Sequence, residues 1–120
     1  MPSIKCSIKV KIQLVVNDSI ALGPGKADLL EAIQEKGSIS AAAVHMGMSY
    51  KRAWDLVNTM NKNFKQTIVA TSVGGGKGGG AQMTDFGSQV LVQYRAIEAK
   101  TTLVLKGEVS DLLLMLATSE

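Results

Sequence analysis

Two short helical runs meet at a single glycine, a β-rich pair of segments flanks a glycine-lysine loop, and a long apolar stripe at helical spacing fills the C-terminal third. These three observations predict a mainly α domain with a small amount of β structure, a winged helix-turn-helix with an N-terminal β-hairpin and long C-terminal dimerisation helices. At 120 residues the chain has the size of one domain, and 46% hydrophobic against 19% charged residues provide for a core and argue against disorder. Within that single unit we expect a hairpin over residues 4–22, a three-helix core over 25–64, a wing over 67–83 and dimerisation helices over 84–118.

The first element follows from alternation. Ile4, Cys6, Ile8, Val10, Ile12, Leu14 and Val16 alternate with Lys5, Ser7, Lys9, Lys11 and Gln13, the period of a strand with one buried face. Cys6 falls on the apolar side, where a buried, inert thiol is expected, and a single cysteine excludes an internal disulfide. Asn17-Asp18-Ser19 is a turn cluster, and Ile20-Ala21-Leu22 returns before Gly23-Pro24-Gly25 breaks the strand.

A helix then runs from about Gly25 to Lys36, with Leu29, Leu30 and Ile33 inward and Gly37 as its stop. Ser40 is expected to cap Ala41 to Met46, which Gly47 closes, and Ser49 to cap a further helix reaching about Phe64. The alanines at 41–43 let two helix backbones approach closely. Thr67 to Val73 and Ala81 to Met83 read as a hairpin with a loose basic tip at Gly74-Gly75-Gly76-Lys77-Gly78-Gly79-Gly80. Thr84 caps the long helix, where Phe86, Val90, Tyr94 and Ile97 recur with Leu91 beside them; beyond Lys106-Gly107, Val109, Leu112, Leu113 and Leu116 make a second helical stripe. A domain this small does not need both stripes for its own core, so Phe86, Val90, Leu91, Tyr94, Ile97, Leu112, Leu113 and Leu116 are expected at a subunit contact.

The net charge of +3 is unevenly spread. From Ser49 to Lys77 five cations face Asp55 alone, whereas from Asp85 to Glu120 three cations face five acids. A basic middle beside an acidic end fits a polyanion-binding surface with a separate assembly region. No run is apolar enough to span a bilayer and the lysine-dotted start makes no signal core, so a cytoplasmic protein without membrane contact is expected.

Enzyme classes find little support. His45 is the sole histidine, without cysteine partners, and is expected to face solvent or cap a helix rather than bind a metal; no metal or cofactor is expected. Gly74, Gly76 and Gly79 formally satisfy a dinucleotide-binding fingerprint, but that motif requires a helix to follow, and here a strand does. No nucleophile elbow or spaced carboxylate pair appears.

The helix from Ser49 to Phe64 carries two stripes. Ala53, Val57, Met60 and Phe64 pack, and Lys51, Asp55, Asn58 and Lys62 face out. In a helix-turn-helix the second helix enters the major groove N-terminus first, so Ser49, Tyr50, Lys51, Arg52 and Asp55 are the candidate readers of double-stranded DNA. Lysine and arginine there reach guanine or phosphate, while Asp55 either accepts from cytosine or orients a neighbouring cation. Asn58 and Lys62 extend the surface. Trp54 is expected to pack on the first helix of the pair, ahead of a role at the DNA backbone. Lys77, on a glycine tip that no bulky side chain obstructs, suits the phosphate backbone or the minor groove. The alternative is a protein-interaction module that binds a partner regulator through its C-terminal helices.

Gly37-Ser38-Ile39-Ser40-Ala41-Ala42-Ala43, followed by Gly47-Met48-Ser49-Tyr50-Lys51-Arg52-Ala53-Trp54-Asp55 and Met60-Asn61, resembles the N-terminal DNA-binding domain of molybdate-responsive regulators of the ModE type. The glycine-lysine loop, Thr84 with Gly87, and Leu22-Gly23-Pro24-Gly25 with Leu29 to Ile33 continue the likeness, which covers roughly Ile4 to Glu98. A weaker likeness to the LysR-type winged helix lies in the Gly37 to Ala43 segment. The resemblance implies a homodimer on a palindromic operator, with the Ser49 helix reading DNA and the Thr84 helix pairing subunits. Full-length members also carry a molybdate-binding module of the molbindin type, for which these 120 residues have no room, so the expectation is either a stand-alone regulator acting with a separate effector-binding protein or a truncated piece of a longer one.

Overall fold

A computed structural model describes residues 6–72 and 80–117. The architecture is a winged helix-turn-helix: β1 (Leu14–Val16), β2 (Ser19–Leu22), α1 (Pro24–Lys36), α2 (Ile39–Met46), α3 (Tyr50–Asn63), β3 (Val69–Ser72), β4 (Gly80–Met83), α4 (Asp85–Glu108) and α5 (Ser110–Leu113).

β1 and β2 form an antiparallel hairpin closed by Asn17 and Asp18, both at positive φ (46° and 68°). A two-residue turn that matches the twist of its strands requires positive φ at both central positions, and asparagine and aspartate tolerate it best after glycine. The expected strand from Ile4 is much shorter than its alternation suggests. Pairing is interrupted by a register shift between Leu14 and Val15, and residues 6–13 lie outside regular structure. β2 is four residues long, so a longer first strand would have no ladder to join. Cys6 is accordingly half-buried rather than sealed in a sheet.

Pro24 opens α1, and Gly37, at φ 79°, ends it by donating its N–H to the Ile33 carbonyl at 2.8 Å. The cap of α2 is Ser38, not Ser40: its hydroxyl accepts from the Ala41 N–H at 3.0 Å, and Ser40 lies inside the helix. Starting the helix earlier buries Ile39. Gly47, at φ 71°, closes α2, and Ser49 accepts from the Arg52 N–H at 3.1 Å to start α3.

The core joins Leu22 of β2, Leu29, Leu30 and Ile33 of α1, Met60 of α3, and Ile68 and Val69 at the wing, all fully enclosed. Ala42, Ala43 and Ala53 are buried where α2 meets α3, so small side chains set that close approach. α4 seals the remaining side. Leu91 (6% exposed) and Tyr94 (3%) are core residues, Phe86 and Val90 pack against the core, and Phe86 meets Phe64 edge to face at 6.4 Å. Of these four residues, expected at a subunit contact, Leu91 and Tyr94 are buried in the chain's own core, and Phe86 and Val90 are half-buried against it. A helical stripe records that a face is covered without recording by what.

Past Tyr94, Arg95 fixes α4 to α1. Its guanidinium contacts Asp28 at 2.7 Å and Glu31 at 3.0 Å on α1, and Glu98 at 2.9 Å on its own helix. The Tyr94 hydroxyl donates to the Ile12 carbonyl at 2.7 Å, tying the N-terminal segment to the same helix. α4 continues through Lys106-Gly107, where a break was expected, and turns only at Val109.

Candidate nucleic-acid interface

The outward face of α3 is the surface to which the sequence pointed. With Ser49 spent on the cap, Tyr50, Lys51 and Arg52 occupy the first exposed turn. Lys51 Nζ lies 2.9 Å from Asp55 Oδ2, an exposed i,i+4 pair, so Asp55 orients a neighbouring cation in the free protein. Asp55 also accepts at its backbone carbonyl from the Thr59 hydroxyl at 2.9 Å. Arg52 is exposed and enters no ion pair among the described residues. Ser49, Lys51, Arg52, Asp55, Leu56 and Thr59 line a shallow hollow of about 260 Å³ on this face. Asn58 is half-buried and Lys62 exposed further along the helix. Trp54, expected to pack, is 42% exposed on α3. His45 faces solvent, as expected.

The wing is held at its base from three directions. On the α3 side, Asn61 Oδ1 accepts from the Ile68 and Val69 N–H groups at 2.8 and 3.1 Å, while its Nδ2 donates to the Val69 carbonyl at 3.0 Å. On the α1 side, Ala81 donates its N–H to the Gly37 carbonyl at 3.0 Å. On the α4 side, the Thr84 hydroxyl donates to the Thr67 carbonyl at 2.6 Å and accepts from the Gly87 N–H at 2.9 Å, and the Thr84 N–H donates to the Ile68 carbonyl at 3.0 Å. β3 and β4 then pair in register from Val69 opposite Met83 to Ser72 opposite Gly80. Lys77 and the glycine tip lie outside the described residues. The basic first turn of α3 and the stem of the wing are thus tied into one hydrogen-bonded frame.

Asn61 and Arg95 are the positioning residues that sequence reasoning missed. Both act on segments distant in sequence or across a loop, and no local spacing marks either. Among the described residues no group of three or more histidine, cysteine or acidic side chains could hold a metal, and no helix is long and apolar enough to cross a membrane.

Ile97, Leu112 and Leu116 of the expected pairing surface are exposed and Leu113 is half-buried. They are joined by Val92, Leu103, Val104, Leu114 and Met115, all exposed, so α4, α5 and the segment after α5 carry exposed apolar residues distinct from the part of α4 that seals the core.

No protein-family model matches the chain. It is 41% identical over 88 residues to the molybdenum transport protein ModE of Azotobacter vinelandii, covering 73% of this chain and 33% of that protein. It is 46% identical over 78 residues to the molybdenum-pterin-binding protein MopB of Rhodobacter capsulatus, covering 65% and 29% respectively. The DNA-binding transcriptional dual regulator ModE of Escherichia coli K12 is 35% identical over 86 residues, covering 72% of this chain and 33% of its own length. The chain spans about a third of the length of the curated relatives it matches.

Proposed function

From the chain's homology to ModE transcriptional regulators, which covers about 70% of its length in keeping with their N-terminal DNA-binding domain, we propose a sequence-specific, molybdenum-related DNA-binding regulator that acts as a homodimer. The observation that carries the reading is the exposed first turn of α3, where Tyr50, Lys51 and Arg52 project from a Ser49-capped helix beside a firmly anchored wing stem. Ser49, Tyr50, Lys51, Arg52 and Asp55 face base edges and flanking phosphates in the major groove, Asn58 and Lys62 follow along the same helix, and Lys77 reaches the backbone from the wing. Asp55 exchanges its hold on Lys51 for a cytosine amino group when DNA arrives. The exposed apolar residues of α4, α5 and the segment after it, including Ile97, Leu103, Val104, Leu112 and Leu116, pair two copies. A two-fold dimer presents two copies of α3 about 34 Å apart, or a multiple of it, to an inverted repeat.

The test is selection of bound sequences from a random duplex pool at about 150 mM salt, where non-specific attraction is screened. The expected product is an inverted repeat. Lys51→Ala and Arg52→Ala then relax discrimination at individual positions by about 1–3 kcal/mol for each bidentate base contact removed. A dimer that recovers no sequence and has no affinity for DNA at low salt would overturn the regulator reading in favour of a partner-binding module.

A further inference from the structure

Two large rings on α3 stand open to solvent: Tyr50 is 52% exposed and Trp54, one turn on, 42%. Residues four apart on a helix are surface neighbours, so the pair makes one apolar strip. Leu56 and Phe64 of the same helix pack against the core instead. Tryptophan is on average among the more deeply buried residues, and a solvent-facing one with an aromatic neighbour asks for a partner.

The strip has a direction. Trp54 and Asn61 are two helical turns apart and so lie on one side of α3. Asn61 bonds the Ile68 and Val69 backbone at the base of the wing, which makes this the wing side. Trp54 stands about 10 Å nearer the N-terminus of the helix than Asn61 does. Its neighbours on the other side are Lys51, three residues before it, and Asn58, four after, both on the outward stripe. The indole therefore borders the basic face of α3, between that face and the wing stem.

Whatever covers the strip must be apolar at the rings and anionic around them. Lys51 and Arg52 separate Tyr50 from Trp54 in sequence, and Asp55, the sole acid of α3, is held by Lys51. The major groove of DNA meets both demands. Phosphates line its rim, and the C5-methyl of thymine is the apolar group that base pairs present on its floor.

We propose that Trp54, with Tyr50 beside it, is a specificity-determining contact that takes the methyl group of one thymine in each half-site. The proposal rests on the reading of α3 given above and adds to it the identity of one base and the chemical group by which that base is chosen.

The experiment uses the whole chain and the inverted repeat recovered by selection, in which each thymine of a half-site is replaced in turn, with its symmetry mate, by deoxyuridine. The exchange removes the methyl group and keeps the hydrogen bonds of the base pair. By fluorescence anisotropy, exchange at one position is expected to weaken wild-type binding by about fourfold for each half-site altered, the effect of one buried methyl-sized group. Trp54→Ala is expected to bind the thymine and deoxyuridine duplexes equally at that position and to keep the wild-type response at every other thymine. Emission from Trp54, the sole tryptophan, reads the same contact in the unsubstituted chain and is expected to differ between the two complexes at that position alone. A Trp54→Ala chain that still discriminates at the same thymine, or a wild type indifferent to every exchange, would overturn the proposal and leave the α3 reading standing. Should Trp54→Ala fail to fold, identical emission from the two wild-type complexes would overturn it as well. A wild-type chain that binds no duplex removes the underlying reading itself, a result visible before any base is exchanged.

Discussion

Gly87→Ala tests the junction of the long helix with the wing. A Cβ at Gly87 would sit 2.3 Å from the Ile68 carbonyl oxygen, 3.1 Å from its carbonyl carbon and 3.2 Å from its Cα. Non-bonded carbon contacts settle near 3.5 Å, so α4 and the strand must part by about 1 Å. Ile68 cannot yield easily, because its N–H donates to Asn61 and its carbonyl accepts from the Thr84 N–H at 3.0 Å. Moving α4 outward breaks that last bond, at about 1 kcal/mol, and adds packing strain of about 1–3 kcal/mol. Alanine returns at most ~1 kcal/mol as the better helix former. The net expectation is a loss of about 2 kcal/mol, or roughly 8 °C in melting temperature for a chain of this length. Urea unfolding at fixed protein concentration, followed by circular dichroism and by emission from the sole tryptophan, reads it directly. An unfolding midpoint equal to or above wild type at unchanged m would refute the reasoning.

Three further outcomes are expected. Asn61→Ala leaves the Ile68 and Val69 N–H groups without their partner and should cost about 2–4 kcal/mol, with Asn61→Asp, which keeps both acceptor bonds, in between; undiminished hydrogen-exchange protection at Ile68 and Val69 would show that the staple is dispensable. The Tyr94 phenol is pushed up to about 12, first by burial and then by the Glu98 carboxylate, so its contribution to stability is full below pH 10 and is lost as pH rises through about 12, the unfolded chain releasing that proton first. Urea midpoints compared between Tyr94→Phe and wild type should therefore converge over that window, and parallel curves would contradict it. Leu103→Glu with Val104→Glu, at positions each 71% exposed, should barely alter the fold of the protomer yet convert the proposed dimer to a monomer by light scattering; a dimer that survives both takes this half of α4 out of the proposed subunit contact.

Most of the helical architecture was legible because its punctuation is local. Gly37 and Gly47 take up left-handed conformations and Ser49 and Thr84 cap their helices through contacts three residues away, which is the range over which sequence patterns speak. Two near-equivalent caps could not be separated that way: Ser38 and Ser40 offer the same hydroxyl, and the choice was made by burial of Ile39. The alternation from Ile4 to Val16 is a property of one segment, whereas the length of a ladder depends on its partner, here only four residues long. Of the candidate interface, the basic turn of α3 could be read directly. Phe86, Val90, Leu91 and Tyr94 were recognised as a stripe, but only the assembled core shows that Leu91 and Tyr94 join it fully while Phe86 and Val90 pack at its edge.

The clamp formed by Arg95 with Asp28, Glu31 and Glu98 divides α4 into a portion welded to the domain and a portion projecting from it. At 24 residues the whole helix measures about 36 Å, and it stretches the molecule to 59 Å in its longest dimension. A rigid rod of that length converts angle into distance. In the proposed dimer, a rotation of about 5° where two such rods cross displaces the far end by about 3 Å, close to the ~3.4 Å rise of one base pair. Small changes of side-chain volume along the projecting half of α4 would then retune the gap between half-sites, leaving every residue that touches DNA unaltered.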